Sequence, residues 1–333
     1  MINPTLVELT RGRSVESKHC GAYAVSDGSG KIVMSAGNIE SPIFPRSAVK
    51  AMQALLLVES GAASTYGFGN RELALACASH SGEQKHAELA AQMLAMAGLD
   101  QTNMECGTHW SFHPNILIEQ AKLGVEPSCL HNNCSGKHAG FLCVACHCNL
   151  PLHGYVNSQH TVQQEVARSL EAMTGSKLDM DLCGIDGCAI PTYAVPLKKL
   201  AHGFAKMATG EGLTSERAKA SKTLIDACMA EPFYVAGTDR ACTKLMEMAP
   251  GEIFVKTGAE GVYTAALPTL GLGMALKIDD GATRAAEVVI AELIANYMEA
   301  EGPIAANLKA FANRELTNWN GDIVGKITAS LQS

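Results

Sequence analysis

The stretch Phe44-Pro45-Arg46-Ser47-Ala48-Val49-Lys50-Ala51-Met52-Gln53 sets a serine and a lysine three residues apart at the start of an apolar run. Residues i and i+3 share one face of a helix, so the Lys50 amine comes within reach of the Ser47 hydroxyl. The run Ala48 to Val58 is apolar except for Lys50 and Gln53 and ends at Gly61. That pattern predicts a helix starting near Pro45 and Arg46 and buried nearly all round. A buried ammonium without a partner tends to lose its proton, and the positive end of the helix dipole and Arg46 push the same way. At an unperturbed pKa of about 10.4 roughly one lysine in 2,500 is neutral at pH 7, so burial is what would make Lys50 a base. Ser47 then reads as an activated nucleophile. The plain alternative is a helix start whose lysine reaches out to water.

Two further loops carry the same chemistry. Ser79-His80-Ser81-Gly82-Glu83 joins two helical runs. Ser81 with Glu83 there has the form of a helix cap, which leaves Ser79 to relay a proton between Lys50 and a second lysine. That second lysine, in Lys256-Thr257-Gly258-Ala259-Glu260-Gly261, ends a strand, where small residues let a substrate approach the backbone. Ser47-x-x-Lys50, the Ser79 loop and Lys256-Thr257-Gly258 follow the order of the three signatures of active-serine β-lactamases and penicillin-binding proteins, although the middle one departs from Ser-Asp-Asn.

Asn132-Asn133-Cys134-Ser135-Gly136-Lys137-His138 and Cys183-Gly184-Ile185-Asp186-Gly187-Cys188 are glycine-containing loops rich in ligand atoms. Cys134 and Cys188 with Lys137, His138 or Asp186 could hold one zinc ion, a lysine ligand having to be neutral. Buried structural thiols are the alternative. Cys143-x-x-Cys146-His147 has the form of a haem attachment motif but continues an apolar helix, so these read as core cysteines.

With 333 residues, 47% of them hydrophobic and 18% charged, the chain can bury a large core. A formal net charge of -7 gives no basis for binding nucleic acid or an anionic membrane, and a small-molecule substrate is the default. Met1 to Lys18 has polar and charged residues throughout and no apolar run resembling a secretory signal, and no later stretch supplies about 20 uninterrupted apolar residues, so a cytoplasmic location without a membrane span is expected. Twelve cysteines there should be reduced thiols rather than a disulfide framework.

Strands are predicted over Thr5 to Thr10, Gly21 to Ser26, Lys31 to Ala36, Glu252 to Lys256, Val262 to Leu267 and Gly271 to Ile278. Helices are predicted over Arg71 to Ala78, Lys85 to Ala97, Asn115 to Lys122, Lys137 to Cys148, Ser158 to Met173, Ser215 to Met229 and Thr283 to Met298. The expected fold class is α/β: an antiparallel sheet built from both chain ends and flanked by helices, with a helical lobe inserted. The expectation is one domain over 1–333, with a sheet lobe at about 1–44 and 235–333 and a helical lobe at about 45–234.

Together with Arg11-Gly12, Glu16-Ser17-Lys18-His19 and Ala236-Gly237-Thr238-Asp239-Arg240, these motifs resemble the rhizobial-type L-asparaginases nearly end to end. The resemblance implies a serine β-lactamase and glutaminase-like fold, a homodimer, and hydrolysis of L-asparagine to L-aspartate and ammonia. By motif match it implies two serine-lysine pairs, Ser47 with Lys50 and Ser79 with Lys256. It also implies one zinc per chain on Cys134, Lys137 and Cys188, with Asp186 nearby. Arg46, His80, Glu83, Asn133, Gly258 and Glu260 are the candidates for holding substrate. The competing readings are a glutaminase or other amidase, a β-lactamase or transpeptidase, and a non-catalytic zinc-binding or redox protein.

Overall fold

A computed structural model describes residues 2–331. Eight strands form the main sheet: β1 (Thr5–Arg11), β2 (Ser14–Asp27), β3 (Ile32–Ala36), β4 (Phe254–Gly258), β5 (Val262–Leu267), β6 (Leu272–Ile278), β7 (Asn313–Thr317) and β8 (Ile323–Ala329). Their order is β7-β8-β1-β2-β6-β5-β4, with β3 also on β2, and every ladder is antiparallel. Everything between residues 37 and 253 lies outside this sheet. The two ends of the chain therefore build the sheet and the middle is mostly helical, which is the α/β class expected.

β2 joins the two ends. At 14 residues it pairs through Ser14–Cys20 with β1 and through Gly21–Asp27 with β6. β5 is buried at all six positions, the pattern of a strand covered on both faces rather than one. The Leu197–Thr209 helix packs on β2, β5 and β6, and the Thr283–Ala295 helix packs on β1, β5, β6 and β8 from the opposite side. Gly273 in β6 makes the first contact close, because a Cβ there would overlap the backbone of Ala201 and Ala205.

The Leu197–Thr209 helix was not among those predicted, although Leu197, Leu200, Ala201, Phe204 and Ala205 keep helical spacing and Gly210 ends it at φ +74°. The lysine pair Lys198-Lys199 breaks the apolar run without breaking its period. Ala241–Met248, Pro303–Ala312, β7 and β8 are further additions, while the predicted elements sit within a few residues of their observed bounds, apart from β2, which starts seven residues earlier, and the helix of the serine segment, which is broken into short pieces.

Inside the helical region the Ser135–His147 helix is buried from Ser135 through Ala145 and is packed by the Asn70–Ala76, Gln84–Met96 and Thr161–Thr174 helices. Among the described residues β4 pairs only with β5, and no strand lies on its outer edge. Against that edge sits the Ser47 segment. All twelve cysteines are free thiols, and no helix among the described residues is long and apolar enough to cross a membrane.

Candidate active site

The serine segment is not the single helix its composition predicts. Arg46–Val49 is a 3-10 turn, Lys50–Gln53 one turn of α-helix, and Leu55–Glu59 a separate piece. The turn opens with Arg46 at φ +52°, a left-handed conformation uncommon for a residue with a side chain. Three contacts hold it there. The Arg46 guanidinium donates from Nε (2.9 Å) and Nη2 (2.7 Å) to Oδ1 of Asp186. Thr264 Oγ1 donates to the Ala48 carbonyl at 3.2 Å and lies 3.3 Å from the Lys256 carbonyl, tying the turn to the strand that carries the second lysine. Gly258 at the end of β4 lets the Pro45 carbonyl oxygen occupy the space a Cβ would fill.

In a 3-10 turn residues three apart eclipse, so Ser47 and Lys50 lie on one side of it. The backbone N–H of Lys50 donates to the Ser47 carbonyl. The expected side-chain bond is absent: Ser47, half-buried, has no side-chain hydrogen bond among the described residues. Lys50 instead donates to the Ala78 carbonyl, to Ser79 Oγ (2.9 Å) and to Cys134 Sγ (3.0 Å), which satisfies all three N–H bonds of an ammonium. Lys256 makes one side-chain bond, to the Thr257 carbonyl at 2.9 Å, and none to Ser79. Burial, with the Lys50 charge adding to it, brings Lys256 down to about 7.

Cys134 carries the network on to a thiol cluster. It hydrogen-bonds Cys188, which accepts from Lys137 Nζ at 3.0 Å. The bond from Cys134, reinforced by Lys137 and Lys50, overcomes burial and holds Cys188 low, at about 4. The same bond, followed by burial, pushes Cys134 up to about 12. Burial pulls Lys137 down, but Cys188 and Cys134 outweigh it and the net shift is upward. No three His, Cys or carboxylate side chains converge among the described residues, so a metal here would take two thiolates and the Lys137 amine. Two sulfurs and an amine fit zinc, with a fourth position open. His138 does not converge with the two thiols; its Nδ1 is bonded to the Tyr155 hydroxyl at 2.8 Å, and its buried Nε2 has no partner among the described residues.

The other candidate residues are mostly engaged with protein. Asp186 is half-buried, which raises it, but the Arg46 bonds, Lys137 and the Gly187 N–H leave it below the usual carboxylate range. His80 is fully buried and neutral, pushed well below its ordinary value by burial and by His86; its ring accepts from the Gly82 N–H and bonds Ser135 Oγ at 2.9 Å. Arg46 and His80 thus shape the site from protein contacts rather than presenting free groups to a substrate. Glu83 accepts from Thr238 at both oxygens, N–H at 2.8 Å and Oγ1 at 2.7 Å. Ser81 does not cap the following helix; Glu83 occupies the cap position, and Ser81 donates to the Ala236 carbonyl. A cavity of about 840 Å³ adjoins this clamp, but Ser47, Lys50, Ser79 and Lys256 do not line it.

Asn133 is half-buried, its N–H on His109 Nε2 (3.0 Å) and its Oδ1 accepting from Cys134 (3.3 Å). Glu260 is exposed at φ +60°, its carboxylate without a hydrogen bond among the described residues. Thr264 and His109 were not singled out from the sequence. Nothing in an apolar strand marks one threonine as a bridge, and His109 lies in a segment with no motif.

Mglu in its L-glutamate-binding form is similar to this chain at 14% identity and a TM-score of 0.45, over 85% of this chain and 62% of Mglu. A β-lactamase from Mycobacterium bovis is similar at 13% identity and a TM-score of 0.40, over 84% of this chain and 95% of that one. A simvastatin synthase mutant from Aspergillus terreus is similar at 11% and 0.40, over 86% and 92%. The chain thus spans less than two thirds of the Mglu structure. No curated protein sequence shows significant similarity to it. The family described as L-asparaginase II matches residues 7–329, almost the whole length, and the chain belongs to that family of amidohydrolases.

Proposed function

We propose that the chain hydrolyses L-asparagine to L-aspartate and ammonia through an acyl-enzyme on Ser47. The observation that carries this reading is the pair of buried lysines beside the serine turn, Lys50 bonded to Ser79 and Lys256 on the strand packed against the turn and brought to about 7. Family membership supports the amide chemistry. Ser47 is chosen over Ser79 because its hydroxyl is half-exposed and unbonded, whereas Ser79 is 5% exposed and accepts from Lys50.

In the first step Ser47 Oγ bonds to the side-chain amide carbon, and its proton passes toward Lys50 on the same side of the turn. The oxyanion is held by backbone N–H groups at the start of the turn. The C–N bond then breaks and the nitrogen leaves as ammonia with a returned proton. In the second step water attacks the β-aspartyl ester, giving its proton to the same lysines, and Ser47 is regenerated. Lys256 supplies the neutral amine near pH 7 from the strand packed against the serine turn. Glu83, Asn133, Gly258 and Glu260 border the substrate, with Arg46 and His80 as its support.

One zinc per chain, held by Cys134, Lys137 and Cys188, would orient substrate groups or polarise the amide as a Lewis acid. Metal analysis checks this set: wild type should carry about one zinc, and Cys134→Ala and Cys188→Ala should lose it. Unchanged content in both would remove the assignment. The assembly proposed is a homodimer in the cytoplasm, where a reducing compartment suits twelve free thiols; light scattering tests the dimer.

The deciding experiment is ammonia release from L-asparagine and, in parallel, L-glutamine, with Ser47→Ala as control and mass spectrometry of the trapped acyl-enzyme. Activity on asparagine that disappears in the control, with the acyl mass on the Ser47 peptide, is expected. An acyl group on the Ser79 peptide would transfer the nucleophile there, and faster glutamine turnover would change the substrate.

A further inference from the structure

Nine arginines stand in the sequence, and all but two find an acceptor or ion-pair partner among the described residues. Arg13 is exposed; Arg240 is half-buried, and its side chain has no hydrogen bond, ion pair or ring contact among the described residues. A partly desolvated guanidinium with no carboxylate is unusual unless a ligand supplies one.

The chain around Arg240 is built to hold it still. Gly237 and Asp239 take φ +107° and +60°, and Glu83 clamps Thr238 at two atoms. Ser81 donates to the Ala236 carbonyl, and Thr243 Oγ1 donates to the Gly237 carbonyl at 2.7 Å. Arg240 then stands immediately before the Ala241–Met248 helix, which packs on β4, the strand that carries Lys256. Its charge is felt at Lys256, His80 and His86, so the guanidinium stands near β4 and the Ser79 loop.

We propose that Arg240 pairs with the α-carboxylate of the amino-acid substrate and so restricts the site to amides that carry one. This rests on the hydrolase reading above. A guanidinium fork matches a carboxylate at two atoms, fixing the amide end relative to the serine turn. A site built around such a pair rejects the analogue lacking the charge, because the guanidinium is then left unpaired.

The test compares L-asparagine with 3-aminopropanamide, which is L-asparagine without its α-carboxylate, in wild type, Arg240→Gln and Arg240→Lys. For Arg240→Gln, kcat/KM on L-asparagine should fall about 10–100-fold, chiefly through KM, and stay unchanged on 3-aminopropanamide. Arg240→Lys should recover part of the loss. Equal losses on both amides, or a shift confined to the pH profile of kcat, would mean that Arg240 acts through Lys256 and would overturn the proposal. Calorimetry with L-aspartate is the second arm and does not need turnover: binding to wild type should weaken tenfold or more in Arg240→Gln. If wild type hydrolyses no amide yet binds L-aspartate through Arg240, the carboxylate site stands and the hydrolase reading falls. If wild type releases ammonia and Arg240→Gln is indistinguishable from it, this inference alone falls.

Discussion

Lys50 and Lys256 are both buried, at 1% and 0% exposure, yet Lys50 has a carbonyl, a hydroxyl and a sulfur around its amine, whereas among the described residues Lys256 bonds only the Thr257 carbonyl. Taking an amine out of water disfavours its charged form in either place, and acceptors restore what water gave. Burial brings Lys256 down to about 7, while the bonds of Lys50 tie the Ala78, Ser79 and Cys134 segments together.

The sharpest way to break this contrast is to delete each amine. Lys50→Met and Lys256→Met should both lower kcat by about three orders of magnitude or more, as should Ser47→Ala. Their stabilities should part company. Lys50→Met strands Ser79 and Cys134 and should cost about 1–3 kcal/mol, while Lys256→Met should be as stable as wild type at pH 7 or more so. Equal destabilisation in denaturant titrations would show that the two amines are equivalent.

The pH dependence sharpens it further. Lys256 titrates at about 7 folded against an unfolded value near 10.5, so its amine is already neutral in the folded state over the window where the unfolded chain still binds a proton. Stability linked to this group is thus full above about 10.5 and is lost as pH falls through about 7. The acid limb of kcat should likewise rise through about 7. Lys256→Met should flatten the stability profile between these limits; a variant that keeps the wild-type profile would assign it to another group.

Smaller effects follow at the supports of the serine turn. Asp186→Asn removes the anion that holds Arg46 in its left-handed conformation and should lower kcat roughly tenfold, read by steady-state kinetics. Thr264→Val keeps the shape of the side chain but loses the bond to the Ala48 carbonyl, and about 1 kcal/mol of stability in thermal unfolding is expected to go with it.

Much of the frame was legible because strands near both ends carry β-branched and apolar runs, while the middle keeps helical spacing. The motif residues were legible as loops with chemistry. What the chain did not display is partner choice. Spacing brings Ser47 and Lys50 to one side of a turn, but it says nothing of the Ala78 carbonyl, Ser79 and Cys134, which arrive from other loops and take all of the amine's bonds. The left-handed Arg46 was equally hidden, since the cause is a carboxylate 140 positions away. Periodicity missed less than it was asked: the Leu197–Thr209 helix was present in the spacing of Leu197, Leu200, Phe204 and Ala205.

The two-ended sheet also fixes an order of events during synthesis. β2 lies in register with β6, Gly21 opposite Ile278, so one edge of the longest strand has no partner until the far end of the chain emerges. At a translation rate of about 5–20 residues per second that interval is on the order of 10–50 s, long enough for an open strand edge to meet another chain. β1 and β3 are made early and pair with β2 at once, while the β6 side waits. Yield in a crowded cell should depend on how well the intervening helical segment folds and screens that edge before the sheet can close.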